Sequence, residues 1–448
     1  MPTLSIGSFG KKELTKVANE KHFDEWYRLD NAAKIFPAVS TRRETNTFRV
    51  QVSLKELVEP EILQLAVDAI LERYPMFKVR LKAGFFWPYL DYNSSPFYIE
   101  PMNTSVCGPI IPKENNGYLF KIFYREKTIA IEIFHSLADG SGAFGLLKSI
   151  IYEYLHLKGY KVTPDNMILT KDSRPTREEY EDAHNAYYDA KNRKHVPEKK
   201  AFGIKGTPIP EGHIGLISGV MSTKAMLDLS RSNQATVTEY LSALMMYTIY
   251  VTQIQYREHL KANQKPVKIF VPVNLRKHFP SKTLRNFSNF VKTEMYMTKS
   301  DITFSEILEL VKKQFKEGMT KSELIRKMSE NVAFEKNVFL KIMPYFIKKF
   351  ALRIGYKMLG LSLNTISFTN IGKIEFPDSM MPFIEDATAA AYSGKFNTVN
   401  GAITSFQDKF KITFTRSIIE TNIEREFFRH FTNQGIKVEI ESNFVEEY

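Results

Sequence analysis

Apolar and polar positions alternate with period two along residues 45–52 (Thr-Asn-Thr-Phe-Arg-Val-Gln-Val), the pattern of a half-buried strand. From Pro60 to Tyr74 the period changes: Ile62, Leu65, Ala66, Ala69 and Ile70 share one helical face, and Pro75 ends it. Two strand-like runs, Tyr118 to Tyr124 and Thr128 to Phe134, flank the polar turn Arg125-Glu126-Lys127 and predict a hairpin. The second run sets Ile129, Ile131 and Ile133 against Ala130, Glu132 and Phe134, and it leads directly into His135. A helix is predicted after Gly140 and Gly142, with Phe144, Leu147, Ile150, Ile151, Tyr154 and Leu155 as its buried stripe.

Residues 170–212 break this grammar with Lys, Arg, Glu and Asp around Pro175, Pro197, Pro208 and Pro210, and they read as a connection, helical in part around Arg177 to Asn192. The pattern then resumes. Strands are predicted at Gly215–Ser222, Val267–Val273, Asn289–Tyr296, Ala387–Tyr392, Asn400–Phe406 and Lys409–Arg416, with a helix at Thr238–Gln255 and another at the end. No short repeat of solenoid type occurs. The expected fold class is α+β in two lobes: residues 1–172, a connection at 173–212, and residues 213–448.

Length supports two lobes, because 448 residues exceed one ordinary core. The single cysteine, Cys107, removes a disulfide framework and any cysteine-based metal cluster, and its expected role is that of a small buried apolar residue in a reducing compartment; no metal site is expected elsewhere in the chain either. The stretch Met1 to Lys12 has no apolar core of signal-peptide length, and no window approaches ~18 uninterrupted apolar residues, so the expected location is cytoplasmic. The net charge of +12 is spread along the chain without an arginine-rich arm or zinc-finger spacing. It argues for a phosphate-bearing small molecule or an acidic carrier rather than nucleic acid, and a generally Lys-rich surface accounts for much of it.

The candidate chemistry lies in His135-Ser136-Leu137-Ala138-Asp139-Gly140, at a strand-to-helix junction where loop atoms are exposed on a rigid frame. A His-x-x-x-Asp-Gly match is expected by chance only about a few hundredths of a time in such a chain. An imidazole suits removal of a hydroxyl proton as the oxygen attacks an acyl group. The other eight histidines, His22, His156, His184, His195, His213, His259, His278 and His430, sit in charged stretches or on helix faces and read as surface or core residues.

The motif and its setting resemble the chloramphenicol-acetyltransferase-like superfamily, which includes condensation domains of peptide synthetases, plant BAHD acyltransferases and alcohol acetyltransferases. The resemblance is strongest to the stand-alone alcohol-acetyltransferase-like group. Arg28-Leu29-Asp30-Asn31-Ala32-Ala33-Lys34 resembles its early segment, Val271-Pro272-Val273-Asn274-Leu275-Arg276 its second-lobe strand, and Ser367-Phe368-Thr369-Asn370-Ile371-Gly372 its late turn. The resemblance implies two lobes, each a mixed sheet flanked by helices, with an active-site tunnel between them. It implies acyl transfer with His135 as general base, and Asp139 paired with Arg276 as loop support rather than as half of a catalytic dyad. Gly140 reads either as a turn that resists a Cβ or as an ordinary helix-start glycine. Thr369 and Asn370 are candidate oxyanion donors, and Asn274 a candidate tunnel contact; for all three a purely structural role is the alternative.

Departures from family patterns narrow the reaction. Phe134 stands where peptide-synthetase condensation domains carry a second His, and the Asp-Phe-Gly-Trp-Gly motif of the plant enzymes is absent. The expected activity is therefore O-acyl transfer from acyl-CoA to an alcohol by a monomer holding no permanent cofactor. The alternatives are an acyl carrier protein as donor, an amine acceptor in a condensation reaction, or a catalytically silent binding module. Val338 to Leu363 interleaves aromatic and aliphatic residues with Lys341, Lys348, Lys349, Arg353 and Lys357. Packing on the second lobe is the preferred reading, and contact with an anionic membrane or a cover over an acyl tunnel is the alternative.

Overall fold

The computed structural model describes residues 26–103, 105–192, 194, 196–255, 265–355 and 363–443. The N-terminal stretch, His22, His195, His259 and the part of the basic segment at 356–362 lie outside the described residues.

Fifteen strands and nine α-helices of five or more residues are the main elements among the described residues. The early half contains β1 (Trp26–Arg28), β2 (Thr47–Leu54), α1 (Pro60–Arg73), β3 (Val79–Lys82), β4 (Tyr89–Tyr92), β5 (Glu100–Pro101), β6 (Phe120–Arg125), β7 (Thr128–Phe134) and α2 (Gly140–Leu157). The later half contains β8 (Gly215–Ser222), α3 (Thr223–Ser232), α4 (Val237–Ile249), β9 (Val267–Asn274), β10 (Ser288–Met295), α5 (Phe304–Gly318), α6 (Lys321–Lys336), α7 (Val338–Ile342), α8 (Tyr345–Gly355), β11 (Ile366–Lys373), β12 (Ile384–Ala391), β13 (Val399–Phe406), β14 (Lys409–Arg416), α9 (Asn422–Asn433) and β15 (Glu439–Ser442).

Two large sheets define two sheet-rich lobes. The first has the order β12-β2-β7-β6-β5, the second β10-β9-β11-β13-β14-β8-β15, and β1, β4 and β3 form a small third sheet. In the first lobe the hairpin β6–β7 pairs from Phe120 opposite Ile133 to Arg125 opposite Thr128, and α1 and α2 pack over the sheet. The alternation in β7 leads one to expect a solvated face, yet Glu132 is buried there. Its cross-strand neighbour Arg49 explains this, donating through Nε at 2.8 Å and meeting the carboxylate as an ion pair. Burial pushes the Glu132 carboxyl upward, and the Arg49 charge opposes that shift.

The late chain is shared between the lobes. Strand β12 pairs antiparallel with β2, placing Ile384 opposite Leu54 and Ala391 opposite Phe48. Ile374, Phe376 and Met380 join the first core, so the segment after β11 belongs spatially to the first lobe although it lies beyond residue 213.

One expectation is corrected. The segment beginning at Val338 does not pack an apolar face on the second lobe; Lys348 is the one buried residue of α7 and α8. The reason is local: Lys348 Nζ donates to the carbonyl of Phe86 at 2.9 Å and lies 4.2 Å from the Trp87 ring centroid, so the lysine turns inward and the phenylalanines turn out.

The lobes meet where the start of α2 touches the loop that joins β9 to β10. A Cβ on Gly142 would collide with the backbone carbonyl of Leu284, so the helix approaches that loop only because no side chain intervenes. On Gly145, a Cβ would meet only the Leu284 side chain, at 3.7 Å. Gly142→Ala is therefore expected to destabilise the protein by about 1–3 kcal/mol, as overpacking does. Gly145→Ala should be neutral or stabilising by up to about 1 kcal/mol. Thermal denaturation of both variants checks the pair; equal shifts would contradict the close approach.

Candidate active site

Strand β7 delivers His135 to a turn held on both sides. The His135 backbone N–H donates to Asn46 O at 2.9 Å, Leu137 N–H donates to Phe134 O at 2.9 Å, and Ser136 Oγ donates to Ala33 O at 3.0 Å. The ring is half-buried between two aromatics. Phe36 stacks on it with centroids 4.9 Å apart, and Phe48 lies tilted at 5.0 Å.

The partner of the ring comes from the second lobe. His135 Nδ1 lies 2.9 Å from Asn286 Oδ1, and Asn286 Nδ2 donates to Asp30 Oδ2 at 3.1 Å. A carboxylate only accepts, so the amide presents its NH2 to Asp30 and its oxygen to the imidazole. That oxygen accepts a hydrogen bond from Nδ1–H, which in a neutral ring leaves the Nε2 lone pair free. Asp30 is fully buried; burial pushes its carboxyl upward, and the Arg285 charge opposes the shift. Its Oδ1 also accepts Ala33 N–H at 2.8 Å, tying the support of His135 to the turn that Ser136 grips.

Asp139 does not face the imidazole. Its Oδ1 accepts Ser141 N–H at 3.1 Å and Gly142 N–H at 3.2 Å, capping α2, while Oδ2 accepts Arg276 Nη1 at 2.7 Å and Phe287 N–H at 2.9 Å. Arg276 spreads its other donors over the loop: Nε donates to Thr283 O at 2.9 Å and Nη2 to Arg285 O at 2.5 Å. Asn286 is therefore bracketed, with the carbonyl before it bound by Arg276 and the N–H after it bound by Asp139.

No protein-family model matches the chain, and no curated protein does either. Solved structures match across nearly its whole length. The starter condensation domain of rhizomide synthetase in complex with C8-CoA aligns at 13% identity over 90% of this chain and 93% of that one, with a TM-score of 0.55. Polyketide synthase associated protein 5 from Mycobacterium tuberculosis aligns at 14% identity over 92% and 98%, with a TM-score of 0.57. The condensation domain of Monacolin K polyketide synthase aligns at 12% identity over 91% and 96%, with a TM-score of 0.54. The chain shares the fold of these condensation domains. At these identities the likeness concerns the fold alone.

Within this condensation-domain fold the remaining candidates fall into place separately. Asn274 caps the turn that follows β9, accepting Arg276 N–H at 3.0 Å, and its Nδ2 donates to Ser141 Oγ at 2.9 Å; it joins the lobes. Asn370 donates through Nδ2 to Thr238 Oγ1 at 2.8 Å, and its buried Oδ1 has no partner among the described residues. Thr369 is half-buried in β11, paired with Ala402 of β13. Neither bonds to the His135 turn among the described residues; β11 comes near the motif through Ile371, whose Cδ1 lies 3.2 Å from where a Gly140 Cβ would stand. Gly140 begins α2 without a positive φ, the ordinary helix start, and Gly142 is the glycine that the packing requires.

Asn286, Asp30, Phe36 and Phe48 were not singled out by sequence. Asn286 lies 151 residues from His135, and no local spacing marks it; Asp30 stood inside the early segment that carried the resemblance. Among the described residues no group of three His, Cys, Asp or Glu is arranged to hold a metal.

The Asp139–Arg276 pair is largely buried, so removing one member leaves an uncompensated charge. Arg276→Ala is expected to cost about 3–5 kcal/mol. Arg276→Lys should fall short of wild type, because one ammonium does not reproduce a planar fork reaching Asp139, Thr283 and Arg285. Chemical denaturation checks this; a lysine variant as stable as wild type would contradict it.

Proposed function

We propose that this protein is an acyltransferase that moves an acyl group from acyl-CoA to an alcohol, with His135 as general base. One observation carries the reading: Nδ1 is engaged by Asn286, and Nε2 has no hydrogen-bond partner among the described residues. The ring is thus set to take a proton at one nitrogen while Asn286 and Asp30 hold the other.

In this mechanism the acceptor hydroxyl gives its proton to Nε2 as its oxygen attacks the thioester carbonyl carbon. A C–O bond forms, and the carbonyl π electrons move onto oxygen. When the tetrahedral species collapses, the C–S bond breaks and the leaving sulfur takes the proton back from Nε2–H. Asn286 acts as a positioning residue, since an imidazolium donates from Nδ1 to its amide oxygen and the buried Asp30 carboxylate orients that amide. Asp139 and Arg276 act one step further out, by fixing the backbone on either side of Asn286.

A second reading is supported by a relative in the same fold: the starter condensation domain of rhizomide synthetase has been crystallised with C8-CoA and Leu-SNAC. It gives this chain an amine acceptor, or a carrier-bound donor that the +12 charge would suit. Phe134, in place of a second motif histidine, favours the alcohol.

His135→Ala is expected to lower acyl transfer by about 10²–10⁴-fold. Asn286→Leu should lower kcat with little change in KM, since it disturbs the base rather than substrate binding. The check is a mass-spectrometric screen of acyl-CoA and acyl-carrier donors against alcohols and amines, run with wild type and both variants. Undiminished ester formation by His135→Ala would overturn the proposal; amide formation alone would replace the alcohol with an amine.

A further inference from the structure

Helix α8 is amphipathic in the opposite sense from a helix that faces water. Its inner side is fastened by polar groups: Lys348 reaches Phe86 O, Arg353 Nε donates to Ala38 O at 2.7 Å, and Tyr345 N–H donates to Phe85 O at 2.7 Å. Its outer side presents Phe346 and Phe350, which are 72% and 68% exposed, beside Phe339 of α7 at 77% and Ile342 at 63%. The aromatic tip Phe85–Phe86 of the loop between β3 and β4, anchored to α8 by the same bonds, extends this apolar surface. A contiguous exposed set of this kind on a folded chain marks an interaction surface rather than scattered surface residues.

Charge decides what that surface fits. From Val338 to Gly355 the sequence holds four basic residues and no acidic one. Lys341 and Lys349 have no carboxylate partner among the described residues, and Lys341 is exposed. Aromatic side chains flanked by unpaired lysines on two short consecutive helices suit a layer whose surface is anionic and whose interior is apolar. Among the described residues no helix is long and apolar enough to cross a membrane, so contact would be with one leaflet surface. A cavity of about 700 Å³ shares Phe85, Phe86 and Lys341 with this face and is also lined by Trp87, Leu29 and Lys34, the last two in the segment that continues to Phe36 on the His135 ring.

We infer that this face, formed by α7, α8 and the Phe85–Phe86 tip, docks on an anionic lipid membrane, with the aromatics inserted at the headgroup level and Lys341 and Lys349 against lipid phosphates or carboxylates. The inference is independent of the acyl-transfer reading.

Flotation of the full chain with vesicles of pure phosphatidylcholine, or of phosphatidylcholine containing phosphatidylserine, tests it. Binding is expected to the anionic vesicles and to fall in high salt. The Lys341→Glu/Lys349→Glu variant should bind on the order of tenfold or more weakly, and the Phe339→Ser/Phe346→Ser/Phe350→Ser variant should not bind. These side chains are exposed, so both variants are expected to keep the wild-type melting temperature, which is measured alongside. Wild type that stays unbound with both vesicles would overturn the inference, as would undiminished binding by the serine variant. A wild-type dimer that ignores vesicles and becomes monomeric in the serine variant would also overturn it and assign the face to a second copy of the chain.

Discussion

The contact on which the site depends is the ion pair between Asp139 and Arg276. Asp139 ends the motif turn of the first lobe and caps α2, while Arg276 begins the β9–β10 loop of the second lobe. Through this pair one carboxylate fixes the start of a helix, the N–H of Phe287 and the guanidinium that holds the carbonyls of Thr283 and Arg285. Burial makes the pair a weak source of net stability but an expensive one to break, and it ties the motif turn of one lobe to the loop of the other. Its consequence for chemistry is indirect. The backbone on either side of Asn286 is held by these bonds, and its amide meets the His135 ring from that anchored position.

Much of the fold was legible from periodicity because the central elements are long and their patterns regular. The hairpin ending at Phe134, the helix after Asp139 and the strands Gly215–Ser222 and Lys409–Arg416 are found within a residue or two of where the alternation places them. What periodicity does not contain is the partner of each strand. Nothing in Ile384–Ala391 announces that it pairs with β2 of the other lobe. The same limit applies at the site: His135 and Asp139 sit in one short motif, whereas Asn286 reaches the ring only through tertiary packing. Gly142 illustrates a subtler case, since a glycine in a helix costs propensity and its reason is visible only once Leu284 is seen against it.

The basic amphipathic segment shows why composition alone misassigns a helix. Apolar residues at helical spacing normally point to a core, and that was the expectation for Val338 onward. In the structure Lys348 has an acceptor and an aromatic face within reach on the first-lobe side, so the polar side turns inward and the apolar side is left outside. One carbonyl and one ring stand in for water around Lys348, whose burial, with the Lys34 charge, pushes the ammonium below the usual lysine range, while the exposed phenylalanines form an apolar set of the kind that marks an interaction surface. The His135 site and this face are linked in space through the segment Leu29–Phe36, which borders the cavity on one side and the imidazole on the other.

The central claim is that His135 is held as a base with Nδ1–H directed at Asn286 and Nε2 free. The most direct measurement is nitrogen-15 NMR of the histidine side chains, with His135 assigned by comparison with a His135→Gln protein. The account predicts that neutral His135 is the Nδ1-protonated tautomer, and that Asn286→Leu removes this preference. A predominant Nε2-protonated ring in the wild-type protein would contradict it.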